Sequence, residues 1–139
     1  MISDITLKRL SLLAERCKAY SQNPRLMPVD VRIDLSIMFA STLHSFVEFA
    51  ELGMKYLGFE MSAIQADIAW FMQYGERKRM VQAQRGQAKS TLAALFAIWS
   101  LVHNPSARVL IVSAGEKQAS DVATLIIRLL ENWSILCWL

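Results

Sequence analysis

Between Arg79 and Val102 the chain reads RMVQAQRGQAKSTLAALFAIWSLV, and its second half is apolar on nearly every side of a helix. A helix from about Ser90 to His103 built that way has no polar face to give to water, so it must lie inside a layered structure. The flanking segments narrow the choice of layers. Met80-Val81-Gln82-Ala83 reads as a short strand; RVLIVS, from Arg108 to Ser113, reads as a fully buried strand once Asn104-Pro105 has broken the helix. Glu116 to about Glu131 reads as another helix. Strand, loop, helix, strand, helix is the order of a parallel α/β sheet with flanking helices, and that is the fold class predicted for residues 61–139.

Residues 1–60 carry no such order and read as a helical lead-in. Ser3 caps a helix from about Asp4 to Tyr20, closed by Asn23, Pro24 and Pro28; a second helical stretch runs from Asp30 to about Tyr56, with Gly53 and Gly58 marking its frayed end. Ser62 then caps a short helix through Tyr74, and the turn Gly75 to Lys78 delivers the chain to the first strand. With 139 residues, 54% of them hydrophobic, there is material for one buried core or for a piece of a larger one. The net charge of +3 is too small to name a partner. Cys17 and Cys137 stand outside any metal-ligand spacing and suit free thiols in a reducing compartment. The start lacks a secretory pattern, and Thr91 to Val102 is about half a bilayer span, so a soluble, cytoplasmic protein is expected.

The loop from Ala83 to Ser90 decides the chemistry. A phosphate loop has the form G-x-x-x-x-G-K followed by Ser or Thr; Lys89-Ser90 fit, while Ala83 and Ala88 replace both glycines. Such a loop works because successive N–H groups and the positive end of the next helix point at one anion, with the lysine adding a mobile charge and the hydroxyl holding Mg2+. Gly86 keeps some flexibility, and Ala88 costs about 1 kcal/mol if its φ is positive. Read this way, the chain is the start of a P-loop NTPase; the competing reading is a polar helix start with no ligand. Arg77-Lys78-Arg79 could attract DNA phosphates but reads rather as a solvated corner, Trp70, Met72 and Trp99 read as core rather than as a stacking platform, and His44 and His103 have no partner at ligand spacing.

Taken together, Gln65 in SAIQADIAWFM, the segment Arg85 to Ser90, AIWSLVHNP and RVLIVSAGEKQASD resemble the large terminase subunit of tailed phages, particularly the short-tailed podophage type. The resemblance covers about Met61 to Trp138 and is densest from Val81 to Ala114. It implies an ATP-driven motor that packages viral DNA into procapsids, with an N-terminal ATPase domain and a C-terminal nuclease. It also implies Mg2+, double-stranded DNA, a portal protein and the small terminase subunit as partners, and a site in the host cytoplasm. Residue by residue, Lys89 would contact the terminal phosphates, Ser90 would hold Mg2+, and Thr91 is a neighbouring hydroxyl. Arg85 resembles the arginine acting in cis on the transferred phosphoryl group, with Gly86, Gln87 and Ala88 completing the loop. Gln65 resembles the glutamine that reads adenine.

An apolar strand ending in an acidic pair, which such a motor needs, is not found: Glu116, Asp121 and Glu131 all lie in or beside a predicted helix. The nuclease region is not found either. The expectation is therefore the N-terminal portion of a terminase motor, without hydrolysis of its own and prone to self-association. The alternatives are a stand-alone nucleotide-binding or interaction module, such as a prophage remnant, and a piece of a helicase-like ATPase unrelated to packaging.

Overall fold

A computed structural model of the protein describes residues 2–82 and 88–136. They form six α-helices: α1 (Asp4–Lys18), α2 (Val29–Ala40), α3 (Phe46–Tyr56), α4 (Ala63–Tyr74), α5 (Lys89–His103) and α6 (Glu116–Asn132). Short 3-10 turns at Pro24–Leu26, Thr42–His44 and Ser134–Leu136 link or extend them.

No strand occurs among the described residues, so the parallel α/β sheet predicted for a P-loop NTPase is not formed. Residues 80–82 and 108–113 are not helical either, and no neighbouring described segment pairs with them. A strand needs a second strand to take up its N–H and C=O groups; unpaired, these segments leave them to water. Their side chains show the same outcome, since Met80, Leu110 and Val112 are 79%, 86% and 82% exposed. The apolar surface of α5 is instead covered by helices: α5 packs against α3, α4 and α6. The part of the reading that required burial of α5 holds, because Leu92, Ala94, Leu95 and Ile98 are inaccessible.

Local signals placed several helix starts. Ser3 caps α1, its hydroxyl accepting from the Thr6 N–H at 3.3 Å. Ser62 and Gln65 form a reciprocal capping box on α4: the Gln65 N–H donates to Ser62 Oγ at 3.2 Å and the Ser62 N–H donates to Gln65 Oε1 at 2.9 Å. The stretch from Asp30 to Tyr56, expected as one helix, is divided. At Ser41 (φ −111°, ψ −93°) the backbone leaves the helix, and the Ser41 hydroxyl donates back to the Ile37 carbonyl at 2.6 Å. The break turns α3 away from α2 and buries Leu43, Phe46 and Phe49. Gly53 is not at a frayed end; it is buried inside α3.

One apolar cluster runs through both halves of the chain, from Leu10, Leu13 and Cys17 of α1 through Phe46 and Phe49 to Leu95, Ile98 and Leu129. The turn after α6 returns to α1, where Ser134 Oγ donates to the Ala14 carbonyl at 3.1 Å. Trp133 closes the seam, stacked on Tyr56 at 5.2 Å and tilted against Phe49 at 5.5 Å. Outside the core, Arg16 bridges Asp30 at 2.7 Å and Asp34 at 3.0 Å, an exposed network that ties α1 to α2 with little net energy. No helix among the described residues is long and apolar enough to cross a membrane.

Candidate functional site

The start of α5 combines a strained cap residue with a helix end that has no side-chain cap. Ala88, its N-cap, has φ 53° and ψ 36°, the left-handed conformation anticipated for a residue standing in for glycine. Ala88 gives this end no side-chain cap, in contrast to Ser62 at the start of α4. Lys89 and Ser90 come next in the chain and are exposed. Positive dipole end, ammonium and hydroxyl thus belong to one short segment.

That segment forms one wall of an open groove of about 710 Å³. The opposite wall comes from the 111–113 segment and from α6, and its polar groups are Ser113, Gln118 and Asp121. Gln118, Asp121, Val122 and Leu125 line the groove together because their spacing puts them on one face of α6. Ser113 Oγ donates to Gln118 Oε1 at 2.9 Å, joining the extended segment to the next helix. The groove therefore sets one cation and one carboxylate around hydroxyl and amide groups.

The predicted site residues divide into three sets. Lys89 and Ser90 line the groove; Ala88 is the N-cap just before them, and Thr91, half-buried, follows in the helix. Gln65 does not line it; it is 7% exposed at the start of α4, and its Oε1 is committed to the capping box. Arg85, Gly86 and Gln87, with the rest of the loop back to Ala83, lie outside the described residues. Sequence reasoning passed over Asp121 because it sits in mid-helix, yet α6 carries it to the groove. Its helical register with Gln118, Val122 and Leu125 was the available signal.

The remaining candidates resolve into structural roles, with one exception. The rings of His44 and His103 are 5.2 Å apart, and His103 contacts two backbone carbonyls, Trp99 O through Nδ1 at 2.9 Å and Phe39 O through Nε2 at 3.2 Å. Trp99 belongs to the core as expected, its indole N–H donating to the Leu43 and His44 carbonyls at 3.3 and 3.2 Å. Trp70, read as core, is 57% exposed. Among the described residues no group of three or more His, Cys, Asp or Glu side chains can hold a metal ion.

No protein-family profile matches this chain, and no solved structure matches it. The resemblance read from residues 61–138 is borne out by a curated relative: over 86 residues the chain is 31% identical to the "Terminase, large subunit" of Enterobacteria phage T3. The aligned region covers 60% of this chain and 15% of that protein, so the chain is similar to a limited part of a phage terminase large subunit.

Proposed function

We propose that the chain serves a terminase-type DNA-packaging motor and that its own contribution is to bind the phosphates of ATP at the start of α5. The observation that carries this reading is the shared groove of Lys89, Ser90 and Asp121 at a helix end without a side-chain cap. Lys89 would meet the terminal phosphate charge, and the first-turn N–H groups would donate to phosphate oxygens. The donor set fits Mg2+ in the mode that ion prefers with nucleotides: one carboxylate, a hydroxyl and phosphate oxygens rather than a closed protein cage. Ser90 and Asp121 would hold it, and its chemistry there is neutralisation of phosphate charge. Arg85 keeps its proposed role in cis beside the transferred phosphoryl group. Hydrolysis needs a further carboxylate to orient water, and Asp121 is the one acid among the described residues lining this groove, so binding without turnover is the activity proposed. Double-stranded DNA, the portal protein and the small terminase subunit are the partners suggested by the similarity to the phage T3 protein.

Calorimetric titration with Mg·ATP tests the reading. Binding should be weak and should fall at least tenfold, about 1.4 kcal/mol, in Lys89→Ala. Asp121→Asn should bind nucleotide without Mg2+ as the parent does, but lose the strengthening that Mg2+ brings. Equal affinity of the parent and Lys89→Ala removes the phosphate site.

A further inference from the structure

The outward face of α4 carries a pair of rings that the fold leaves in water. Trp70 and Tyr74 are 57% and 56% exposed, one helical turn apart, with ring centroids separated by 5.3 Å and tilted by 43°. Phe71, beside them, is 36% exposed. Large rings gain more from burial than most side chains, so two of them on one open face make an unusual surface for a helix that has a core to pack against.

The basic turn at the end of α4 distinguishes this face from a plain apolar patch. Helix α4 ends at Gly75, where a Cβ would stand 2.6 Å from the Phe71 carbonyl oxygen and 2.9 Å from its ring, so the chain turns there only because the residue is glycine. Arg79 then folds the turn back, its guanidinium donating to the Gly75 carbonyl at 2.8 Å and reaching the Gln73 carbonyl at 3.5 Å. Gln73 in turn anchors the helix, its Oε1 accepting from the Phe46 N–H at 2.9 Å. Arg77 and Lys78 are thereby held at the same end of α4 as Tyr74, exposed and without an ion pair among the described residues. Two carboxylates share the region, Asp67 one turn before Trp70 and Glu76 within the turn, and the cations Arg77, Lys78 and Arg79 outnumber them.

Rings of this size with cations beside them match a ligand that is flat and apolar at one edge and anionic at the other. An apolar protein partner would leave Arg77 and Lys78 unanswered. A single-stranded nucleic acid answers both, with a base for a ring face and a phosphate for each cation. We propose that Trp70 and Tyr74, with Arg77 and Lys78, form a binding site for single-stranded nucleic acid: bases stack on the rings and the backbone tracks the basic turn. A duplex hides its base faces and satisfies the cations alone, so the site prefers unpaired strands. This surface shares no residue with the groove at Lys89 and stands without it.

Fluorescence anisotropy with short labelled oligothymidine, oligouridine and a duplex of equal length tests the site on the full chain. Trp70→Ala and Tyr74→Ala, both at exposed positions, should each weaken oligothymidine binding about tenfold. Arg77→Ala/Lys78→Ala should weaken it too and reduce the slope of log K against log salt by about 1.4, the share of two phosphates on a single strand. Asp67→Asn should tighten it, and Lys89→Ala should leave it unchanged. Similar affinity for oligothymidine and oligouridine marks base stacking with either sugar; a preference for one names the natural strand. Binding indifferent to Trp70→Ala, a duplex bound as tightly as a single strand, or no oligonucleotide binding overturns the proposal. Loss of self-association in Trp70→Ala without any oligonucleotide binding would reassign the face to a protein contact.

Discussion

Gly53 of α3 faces Leu95 of α5 so closely that a Cβ at position 53 would lie 2.5 Å from Leu95 Cδ2 and 3.1 Å from Cδ1. Leu95 is inaccessible, so it can give way only by repacking within the core. Glycine here is a packing residue that lets two helices approach, although it is a poor helix former. Gly53→Ala should therefore lose about 1 kcal/mol in urea unfolding, because overpacking of about 1–3 kcal/mol outweighs a propensity gain of about 1 kcal/mol. In a Leu95→Ala background the sign should reverse, with Gly53→Ala now stabilising. Equal effects in both backgrounds would show that the two residues are not coupled.

The capping box on α4 assigns Gln65 a job that can be separated from ligand recognition. Ser62→Ala and Gln65→Ala should each cost about 1 kcal/mol of stability, while Gln65→Glu, which can still accept the Ser62 N–H, should cost little. Nucleotide titrations on the same variants address the adenine role. With the amide oxygen held in the box, any preference for ATP over GTP should survive Gln65→Glu; loss of that preference in a stably folded variant would return base reading to Gln65.

Ala88 is the described non-glycine residue with positive φ, at 53°. The left-handed conformation costs an alanine about 1–2 kcal/mol, and glycine returns about 0.4–1 kcal/mol of that through the freedom of its unfolded chain. Ala88→Gly should thus raise stability by about 0.5–1 kcal/mol. Thermal unfolding of the purified variant checks it, and a lowered midpoint would place Ala88 in another conformation in solution.

Leu110 and Val112, 86% and 82% exposed, lie on a segment whose backbone has no ladder partner among the described residues. Exposed apolar residues on an unpaired extended chain promote association through backbone pairing. Light scattering should show concentration-dependent self-association of the parent, and Leu110→Lys/Val112→Lys should reduce it several-fold. A parent that stays monomeric at high concentration removes this expectation.

The candidate site was legible in part. Lys89 and Ser90 could be chosen because the pattern of loop, lysine and hydroxyl is local, and the strain at Ala88 could be anticipated from one missing glycine. For Asp121 the sequence offered only its helical register with Gln118, Val122 and Leu125, since nothing along the chain says which face of α6 meets α5. Trp70 and Trp99 show the same limit from the other side. Both sit on helices rich in apolar residues, but only Trp99 has the Leu43 and His44 carbonyls within reach of its N–H.

Sequence alone determined what depends on neighbours along the chain. It set the starts of α1 and α4, where a serine supplies the missing acceptor, the end of α5 at Asn104-Pro105, and the residue identities shared with a phage terminase. Only the tertiary structure decided what depends on neighbours in space. Arg108 to Ser113 has the composition of a buried strand, yet burial and pairing are properties of what packs against a segment; here that space belongs to α3, α4 and α6 around α5, and Leu110 faces water. By the same reasoning a carboxylate in mid-helix became part of the groove and a tryptophan read as core became surface, because helix packing, which no local pattern encodes, chose the faces that meet.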